Sequence, residues 1–157
     1  MFDGHAGKEV ANLTALEFTD HLLSIAPFDK LDDDYRRQDV IDGLRQAFQT
    51  WDVKLRSHPH LTKIKDRSGA TATGVLITPK HYFVFNVGDS RTILIRDSKL
   101  HFSSMDHKPM GEIEKKRIQQ AGGKIIINRI NGSLAVSRAL GDFDYKNNAQ
   151  MGEASSV

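Results

Sequence analysis

The residues best suited to chemistry are an aspartate, a glycine and a histidine that stand together in the opening stretch MFDGHAG. Asp3 supplies a carboxylate, and Gly4 lets a ligand approach the backbone carbonyl closely because it has no side chain. A carboxylate and a carbonyl are the oxygen donors that hard divalent cations prefer, and His5 follows them on the turn into the next helix. A plain Asp-Gly turn explains the same residues equally well.

Two later stretches also place an acidic residue beside turn-forming residues. In NVGDSR, Asp89 follows a hydrophobic run, and in DHKP, Asp106 stands three residues before Pro109, which closes the turn. Spacing alone favours a hairpin turn over a ligand site in NVGDSR, and a turn in DHKP.

The histidines of HPH, His58 and His60, are a third candidate for metal binding. Two histidines without a carboxylate or cysteine partner do not form a usual zinc site. We therefore favour a solvated turn between a helix and the charged stretch TKIKDR over a metal pair.

Composition excludes several classes of function. With 157 residues, 39% hydrophobic and 27% charged, the chain matches one soluble domain with its own core. Its net charge of +2 does not support the broad basic face that nucleic-acid binding needs, and its lack of cysteine excludes a disulfide framework, a thiolate nucleophile and a Cys-based zinc site. The run Tyr82 to Phe85 is far too short to span a membrane, and no signal peptide is recognisable, so we expect a cytoplasmic or nuclear protein.

The first half of the chain has helical patterning. Helix-forming residues dominate from Lys8 to Ile25, which predicts a helix that Pro27 ends. The polar run LDDDYRRQ, residues 31–38, predicts a loop that leads into the next helix. Apolar residues then recur at three- and four-residue spacing from Val40 to Leu55, which predicts an amphipathic helix.

The second half changes to short β-branched and aromatic runs separated by turns, which predict consecutive antiparallel strands. These runs are ATATGVLITP, HYFVFNVGDS, RTILIRDS and KLHFSS. GEIEKKRIQQAGG then predicts a helix ended by Gly122, and KIIINRI predicts one more strand. The order of elements is typical of an α+β fold in which helices pack on an antiparallel sheet.

Six stretches, in this order and spacing, closely resemble the metal-dependent serine/threonine protein phosphatases of the protein phosphatase 2C family, and most closely its animal alpha and beta types. They are MFDGHAG, RSGATATGVLI, NVGDSR, MDHKP, EKKRIQQAGG and the highly specific RINGSLAVSRALGDFDYK. The resemblance implies an antiparallel β-sandwich flanked by helices, with a partial phosphatase domain at residues 1–146. Residues 147–157 diverge from the family and are polar, which predicts a disordered tail.

The resemblance also implies an activity, hydrolysis of phosphoserine and phosphothreonine in proteins by a metal-activated water. It assigns Asp3 as the carboxylate that bridges two Mg2+ or Mn2+ ions, Gly4 as a carbonyl ligand, and His5 as the acid that protonates the leaving alkoxide. Asp89 matches a residue that helps to hold a third metal, and Arg129 lies near the start of a flap on the substrate side. Phosphorylated proteins are the implied partners, and the complete protein is expected to be a monomer.

Two further residues, Arg138 and Asp142, match positions that look structural in the family, and a strand-end salt bridge is the favoured interpretation for both. The family also has two strands before this aspartate, and the resemblance stops after Lys146, so several metal carboxylates and a phosphate-binding arginine have no counterpart. We therefore expect a fragment incomplete at both ends, with weak metal binding and little activity of its own. The alternative is an inactive phosphatase-like module that binds the partners of the parent enzyme.

Overall fold

A computed structural model describes residues 1–25 and 37–146. The predicted end of the first helix at Pro27, most of the predicted loop at residues 31–38 and the predicted disordered tail at residues 147–157 lie outside the described residues.

Helices and antiparallel strands make up the described chain, so the predicted α+β class is confirmed. The helices are α1 (Glu9–Ile25), α2 (Arg37–Arg56), α3 (Pro59–Ile64) and α4 (Glu112–Gln120). The strands are β1 (Phe2–His5), β2 (Gly69–Ile77), β3 (Tyr82–Val87), β4 (Ile93–Arg96), β5 (Lys99–Ser103), β6 (Ile125–Ile126), β7 (Arg129–Ile130) and β8 (Leu140–Gly141). A short 3-10 helix, Phe143–Tyr145, follows β8. None of the described helices is both long and apolar enough to cross a membrane.

Strand β2 is the centre of the main sheet. Strand β1 pairs antiparallel with its first half, β3 pairs with residues 72–77, and β8 pairs at Gly69 and Ala70. Strands β4 and β5 form one separate hairpin, and β6 and β7 form another. Strand β2 therefore connects β1, in the opening stretch MFDGHAG, with β8, in the stretch RINGSLAVSRALGDFDYK.

The core lies between this sheet and helices α1 and α2. Trp51 of α2 is fully buried, and its indole N–H donates a hydrogen bond of 3.1 Å to the Thr14 hydroxyl of α1. The rings of Phe18 and Phe48 pack with centroids 4.5 Å apart across the same helix pair. Burial of these aromatic side chains contributes a large part of the stability, and it fixes both helices over the start of β2.

Helix α2 also holds the segment that follows β8. The buried Asp52 accepts a hydrogen bond of 2.8 Å from the Gly141 N–H and one of 2.7 Å from Lys146 Nζ. Lys146 Nζ also donates to the carbonyl of Ala139, 2.8 Å away. These bonds cross-link the two ends of a tight turn to the helix behind it.

Three local predictions are wrong. HPH is not a solvated turn, because His58 caps α3 and Pro59 begins that helix, which extends into the charged stretch TKIKDR. NVGDSR is not a hairpin turn, because β3 and β4 belong to different sheets. KIIINRI is not one strand, because Ile127 and Asn128 adopt left-handed conformations, with φ of 50° and 60°, that reverse the chain.

The two histidines of HPH have carboxylate partners that the sequence pattern did not indicate. His60 Nε2 lies 3.0 Å from Glu9 Oε2, and His58 Nε2 lies 3.6 Å from Glu17 Oε1. The two pairs tie α3 to α1, and within residues 1–25 and 37–146 no three His, Cys, Asp or Glu side chains are grouped to hold a metal.

A buried ion-pair cluster connects α4 to the segment before β8. Glu114 accepts hydrogen bonds from Arg138 Nη2 at 2.7 Å and from Arg117 Nη2 at 2.8 Å. Burial alone would raise the pKa of Glu114, but the hydrogen bonds from Arg138 and Arg117 outweigh it and lower the pKa to about 2. The predicted structural salt bridge of Arg138 is thus present, although Arg138 lies in a loop and not at a strand end.

We expect Glu114→Gln to lower the free energy of unfolding by about 2 to 4 kcal/mol at pH 7, because it leaves two partly buried guanidinium groups without their carboxylate. The native carboxylate has a lowered pKa, so its stabilisation is present above the ordinary value of 4.5 and is lost as the pH falls from 4.5 towards about 2. Urea titration of both proteins at pH 7, 4 and 2.5 measures this. Glu112→Gln, an exposed change in the first turn of the same helix, should cost less than about 1 kcal/mol, and a difference between wild type and Glu114→Gln that does not change with pH would contradict the assignment.

Candidate functional site

Four of the residues selected from the sequence line one cleft of about 480 Å³. They are Asp3, His5, Asp89 and Arg129, which come from β1, the loop after β3 and the start of β7. The other lining residues are Ala6, Arg67, Thr71, Ser133, Leu134, Ala135, Val136, Asp142, Asp144 and Tyr145. The fold therefore assembles one polar concave site from distant parts of the chain.

The opening stretch forms a strand and not a turn. Asp3, Gly4 and His5 pair in antiparallel register with Thr71, Ala70 and Gly69 of β2. Alternation along a strand places the side chains of Asp3 and His5 on the same face, towards the cleft. The interpretation of Asp3 and Gly4 as an Asp-Gly turn is therefore wrong.

Gly4 lies between these two residues and faces the other way. A Cβ at this position would stand 3.0 Å from the carbonyl oxygen of Gly7 and 3.1 Å from the Cβ of Ala11. The absence of a side chain thus lets β1 pass close to the start of α1.

The loop that carries Asp89 is fixed from two sides. The hydroxyl of Ser90 lies 2.6 Å from that of Thr71 on β2. On the other side, the Gly88 N–H donates to His107 Nδ1 at 3.1 Å, and the Asp89 carboxylate pairs with Lys108 Nζ. Asp89 therefore reaches the cleft from a well-anchored loop and is already neutralised by a lysine.

His5 forms an ion pair inside the cleft. Its Nε2 lies 2.7 Å from Oδ2 of Asp142, a residue directly after β8 whose side chain is only 5% exposed. The hydrogen bond from His5 to Asp142 raises the pKa of His5 despite partial burial, and the charges of Asp142, Asp3 and Asp89 act in the same direction. Asp142, which sequence reasoning treated as a structural strand-end residue, thus contacts the candidate proton donor itself.

Two more charged residues of the cleft were missed in the sequence. Arg67 Nε and Asp144 Oδ2 form an exposed ion pair of 2.9 Å at the cleft. Asp144 belongs to the stretch GDFDYK, so its motif was visible but its place beside the opening stretch was not. Arg129, which was identified, donates a hydrogen bond of 2.7 Å from Nη1 to the carbonyl of Ser133.

The donor atoms fit a hard divalent cation in type. Asp3 and Asp89 bring carboxylates to the cleft, and β1 carries the carbonyl of Gly4 between Asp3 and His5. Across the described residues Asp3 forms no ion pair, whereas Asp89 and Asp142 each face a basic group. Asp3 is therefore the cleft carboxylate with most capacity left for a cation, and oxygen ligands are those that Mg2+ and Mn2+ prefer.

Comparison with known protein families and sequences points in one direction. The family described as Protein phosphatase 2C matches residues 1–156. Protein phosphatase 1A of Homo sapiens is 47% identical over 146 residues, which cover 93% of this chain and 38% of that protein. Protein phosphatase 1B of Rattus norvegicus is 44% identical over 151 residues, which cover 93% of this chain and 39% of that protein. The chain thus spans well under half the length of these curated relatives.

Solved structures share the same architecture. A sex-determining protein of C. elegans superposes with a TM-score of 0.77 at 26% identity, over 93% of this chain and 36% of that one. A phosphatase from Toxoplasma gondii superposes with a TM-score of 0.65 at 18% identity, over all of this chain and 57% of that one. At 18% identity, the likeness to the Toxoplasma gondii phosphatase concerns the fold alone.

We expect the His5 imidazole, in the chain kept metal-free with EDTA, to titrate above its ordinary pKa of 6.5, because Asp142 stabilises the protonated ring. A raised native pKa means that this contact stabilises the fold fully below pH 6.5 and that its contribution is lost as the pH rises through the native value. An NMR titration of the ring protons measures the pKa. The assignment is wrong if His5 titrates at or below 6.5, or if Asp142→Asn leaves its pKa unchanged.

Proposed function

Because the chain belongs to the protein phosphatase 2C family, we propose that its cleft forms part of the catalytic centre of a metal-dependent protein serine/threonine phosphatase. The observation that carries this proposal is the convergence of Asp3, His5, Asp89 and Arg129 on one cleft. The relatives that support it are named protein phosphatases.

The proposed reaction is hydrolysis of phosphoserine and phosphothreonine in proteins. Asp3, the Gly4 carbonyl and Asp89 would hold Mg2+ or Mn2+, which supplies an acidified water and offsets the charge of the phosphoryl oxygens when bound. His5 gives a proton to the seryl or threonyl oxygen as its bond to phosphorus breaks, so the products are a free hydroxyl and inorganic phosphate. Arg129 of β7 also lines the cleft and brings a positive charge to the substrate side.

The charge pattern of the cleft supports the same proposal. Asp89 and Asp142 are paired with Lys108 and His5, whereas Asp3 has no ion-pair partner among the described residues, so Asp3 is the carboxylate of the cleft that would attract a cation. Without a cation, the unpaired carboxylate of Asp3 would repel a phosphate dianion. A divalent cation held at Asp3 would reverse the local charge there, so that the cleft could accept a phosphorylated side chain.

We expect Mn2+ to bind the chain weakly at β1 and the Asp89 loop, because the described residues supply only two carboxylates and one carbonyl to the cation. Paramagnetic broadening should appear first at the amide signals of residues 3–5 and 89. Asp3→Asn should weaken this binding at least about tenfold, whereas Asp20→Asn, an exposed change on α1, should leave it unchanged. If the paramagnetic broadening in Asp3→Asn were the same as in wild type, the metal assignment would be contradicted.

We expect the gene product, purified from cells, to hydrolyse a phosphothreonine peptide in the presence of Mn2+. Hydrolysis should stop when EDTA removes the metal. Asp3→Asn should lower kcat by about two orders of magnitude or more, because a neutral amide cannot replace a carboxylate ligand, and His5→Gln should be milder. Phosphate release measured against the Asp20→Asn control decides the matter. Near-normal turnover by Asp3→Asn would refute the proposal, and metal binding without any turnover by wild type would favour an inactive interaction module.

A further inference from the structure

We infer that Asp142 is a positioning residue for His5, whose carboxylate accepts the Nε2–H of the imidazole and leaves Nδ1 as the ring nitrogen that serves the substrate. This inference rests on the proposed function for the role of His5 in proton transfer. The contact itself rests on the geometry of the cleft alone.

The contact has the properties of an orienting bond. Nε2 of His5 and Oδ2 of Asp142 are 2.7 Å apart, and the aspartate side chain is 5% exposed while the histidine side chain is 29% exposed. A carboxylate accepts and never donates when ionised, so Nε2 must carry the hydrogen. Nδ1 has no hydrogen-bond partner in the described part of the chain, and His5 lines the cleft.

The strand beneath the pair is shaped to admit it. Gly69 is the residue of β2 that stands directly opposite His5 in the register of the sheet. A Cβ on Gly69 would lie 2.5 Å from Cγ of Asp142 and 2.5 Å from Nε2 of His5. The imidazole and the carboxylate therefore meet over a position where every residue except glycine would force them apart.

The backbone of Asp142 is held on both sides, so its carboxylate is oriented before any ligand binds. Its N–H donates to the carbonyl of Ser68 at 3.2 Å, and its own carbonyl accepts from the Tyr145 N–H at 2.9 Å. The preceding residue, Gly141, donates to the buried Asp52 of α2 at 2.8 Å. Gly141 and Asp142 have φ of 75° and 50°, left-handed values that glycine adopts freely and that aspartate adopts more readily than most residues.

This arrangement decides which proton moves. When His5 protonates the departing seryl or threonyl oxygen, the hydrogen on Nδ1 is transferred as the bond between oxygen and phosphorus breaks. The hydrogen on Nε2 stays between His5 and Asp142, so Asp142 remains ionised throughout. The ring is left neutral with its remaining hydrogen on Nε2, ready to take up a new proton at Nδ1.

Asp144 provides a matched control. It lies two residues further along the same segment, lines the same cleft and forms its ion pair with Arg67 instead of with His5. Asp144→Asn therefore removes one negative charge from the cleft without touching the imidazole. If both variants show the same effect, the loss of a negative charge causes it. If only Asp142→Asn shows the effect, the loss of His5 positioning causes it.

The deciding measurement is the tautomer of His5, read from the 15N shifts and long-range 1H–15N couplings of the full chain, metal-free, at a pH where the ring is neutral. We expect the Nε2–H tautomer in wild type and in Asp144→Asn. Asp142→Asn should fold, because asparagine has the same shape and tolerates a left-handed φ, and it should give a mixture of both tautomers. An Nδ1–H tautomer in wild type, or unchanged ring shifts in Asp142→Asn, would overturn the inference.

Gly69→Ala is a second test that keeps both side chains. The new Cβ should separate the His5 imidazole from the Asp142 carboxylate and abolish the tautomer preference. The inference is overturned if Gly69→Ala folds, as judged by circular dichroism, and still has the wild-type ring shifts.

Turnover of two substrates by the gene product distinguishes positioning of His5 from a purely structural role of Asp142. Asp142→Asn should lower kcat for a phosphothreonine peptide at least about tenfold with little change in KM, because a poor leaving group needs the acid. With p-nitrophenyl phosphate, whose leaving group needs no proton, kcat should change less than about twofold. Equal losses with both substrates would overturn the inference, whereas a wild type with the Nε2–H tautomer and no turnover would refute the proposed function and support the positioning of His5.

Discussion

Small residues at the start of β2 make the rest of the structure possible. Strand β1 pairs along one edge of residues 69–72 and β8 pairs along the other, so three strands meet within four residues. Alternation then separates the two faces of this short stretch. Ala70 and Ala72 face the core and are fully buried under the helices, whereas Gly69 and Thr71 face the cleft. Larger side chains at these positions would hold the helices off one face and the His5–Asp142 pair off the other.

The two faces are also coupled through α2. Trp51 fills the core beside Thr14, and the next residue, Asp52, bonds the backbone of Gly141 and the ammonium of Lys146. The packing that stabilises the helix pair therefore also sets the turn that presents Asp142 to the cleft. A buried carboxylate and ammonium are costly to desolvate, and here they connect the core to the site.

Charge in the cleft is partly balanced by the chain itself. Asp142 is paired with His5 and Asp89 with Lys108, whereas Asp3 forms no ion pair across residues 1–25 and 37–146. This asymmetry singles out the carboxylate that family resemblance assigns as the metal bridge. The candidate proton donor, His5, is paired instead with Asp142, which directly follows β8.

The main helices and strands follow from local patterns, because apolar spacing and turn residues act within a few positions of one another. The pattern from Val40 to Leu55 predicted α2, and the β-branched runs predicted β2 to β5. Motif likeness likewise identified the family and selected Asp3, His5, Asp89 and Arg129.

Pairing between distant segments leaves no such local pattern in the sequence. Asp3 and Gly4 could be read as a turn because the partner strand that extends them lies far along the chain, and Asp142 could be read as structural because its partner, His5, is fixed only when β1 and β8 meet on opposite edges of β2. The sequence by itself therefore identifies the candidate reactive groups, whereas the orientation of the imidazole depends on long-range strand pairing and on the space above Gly69.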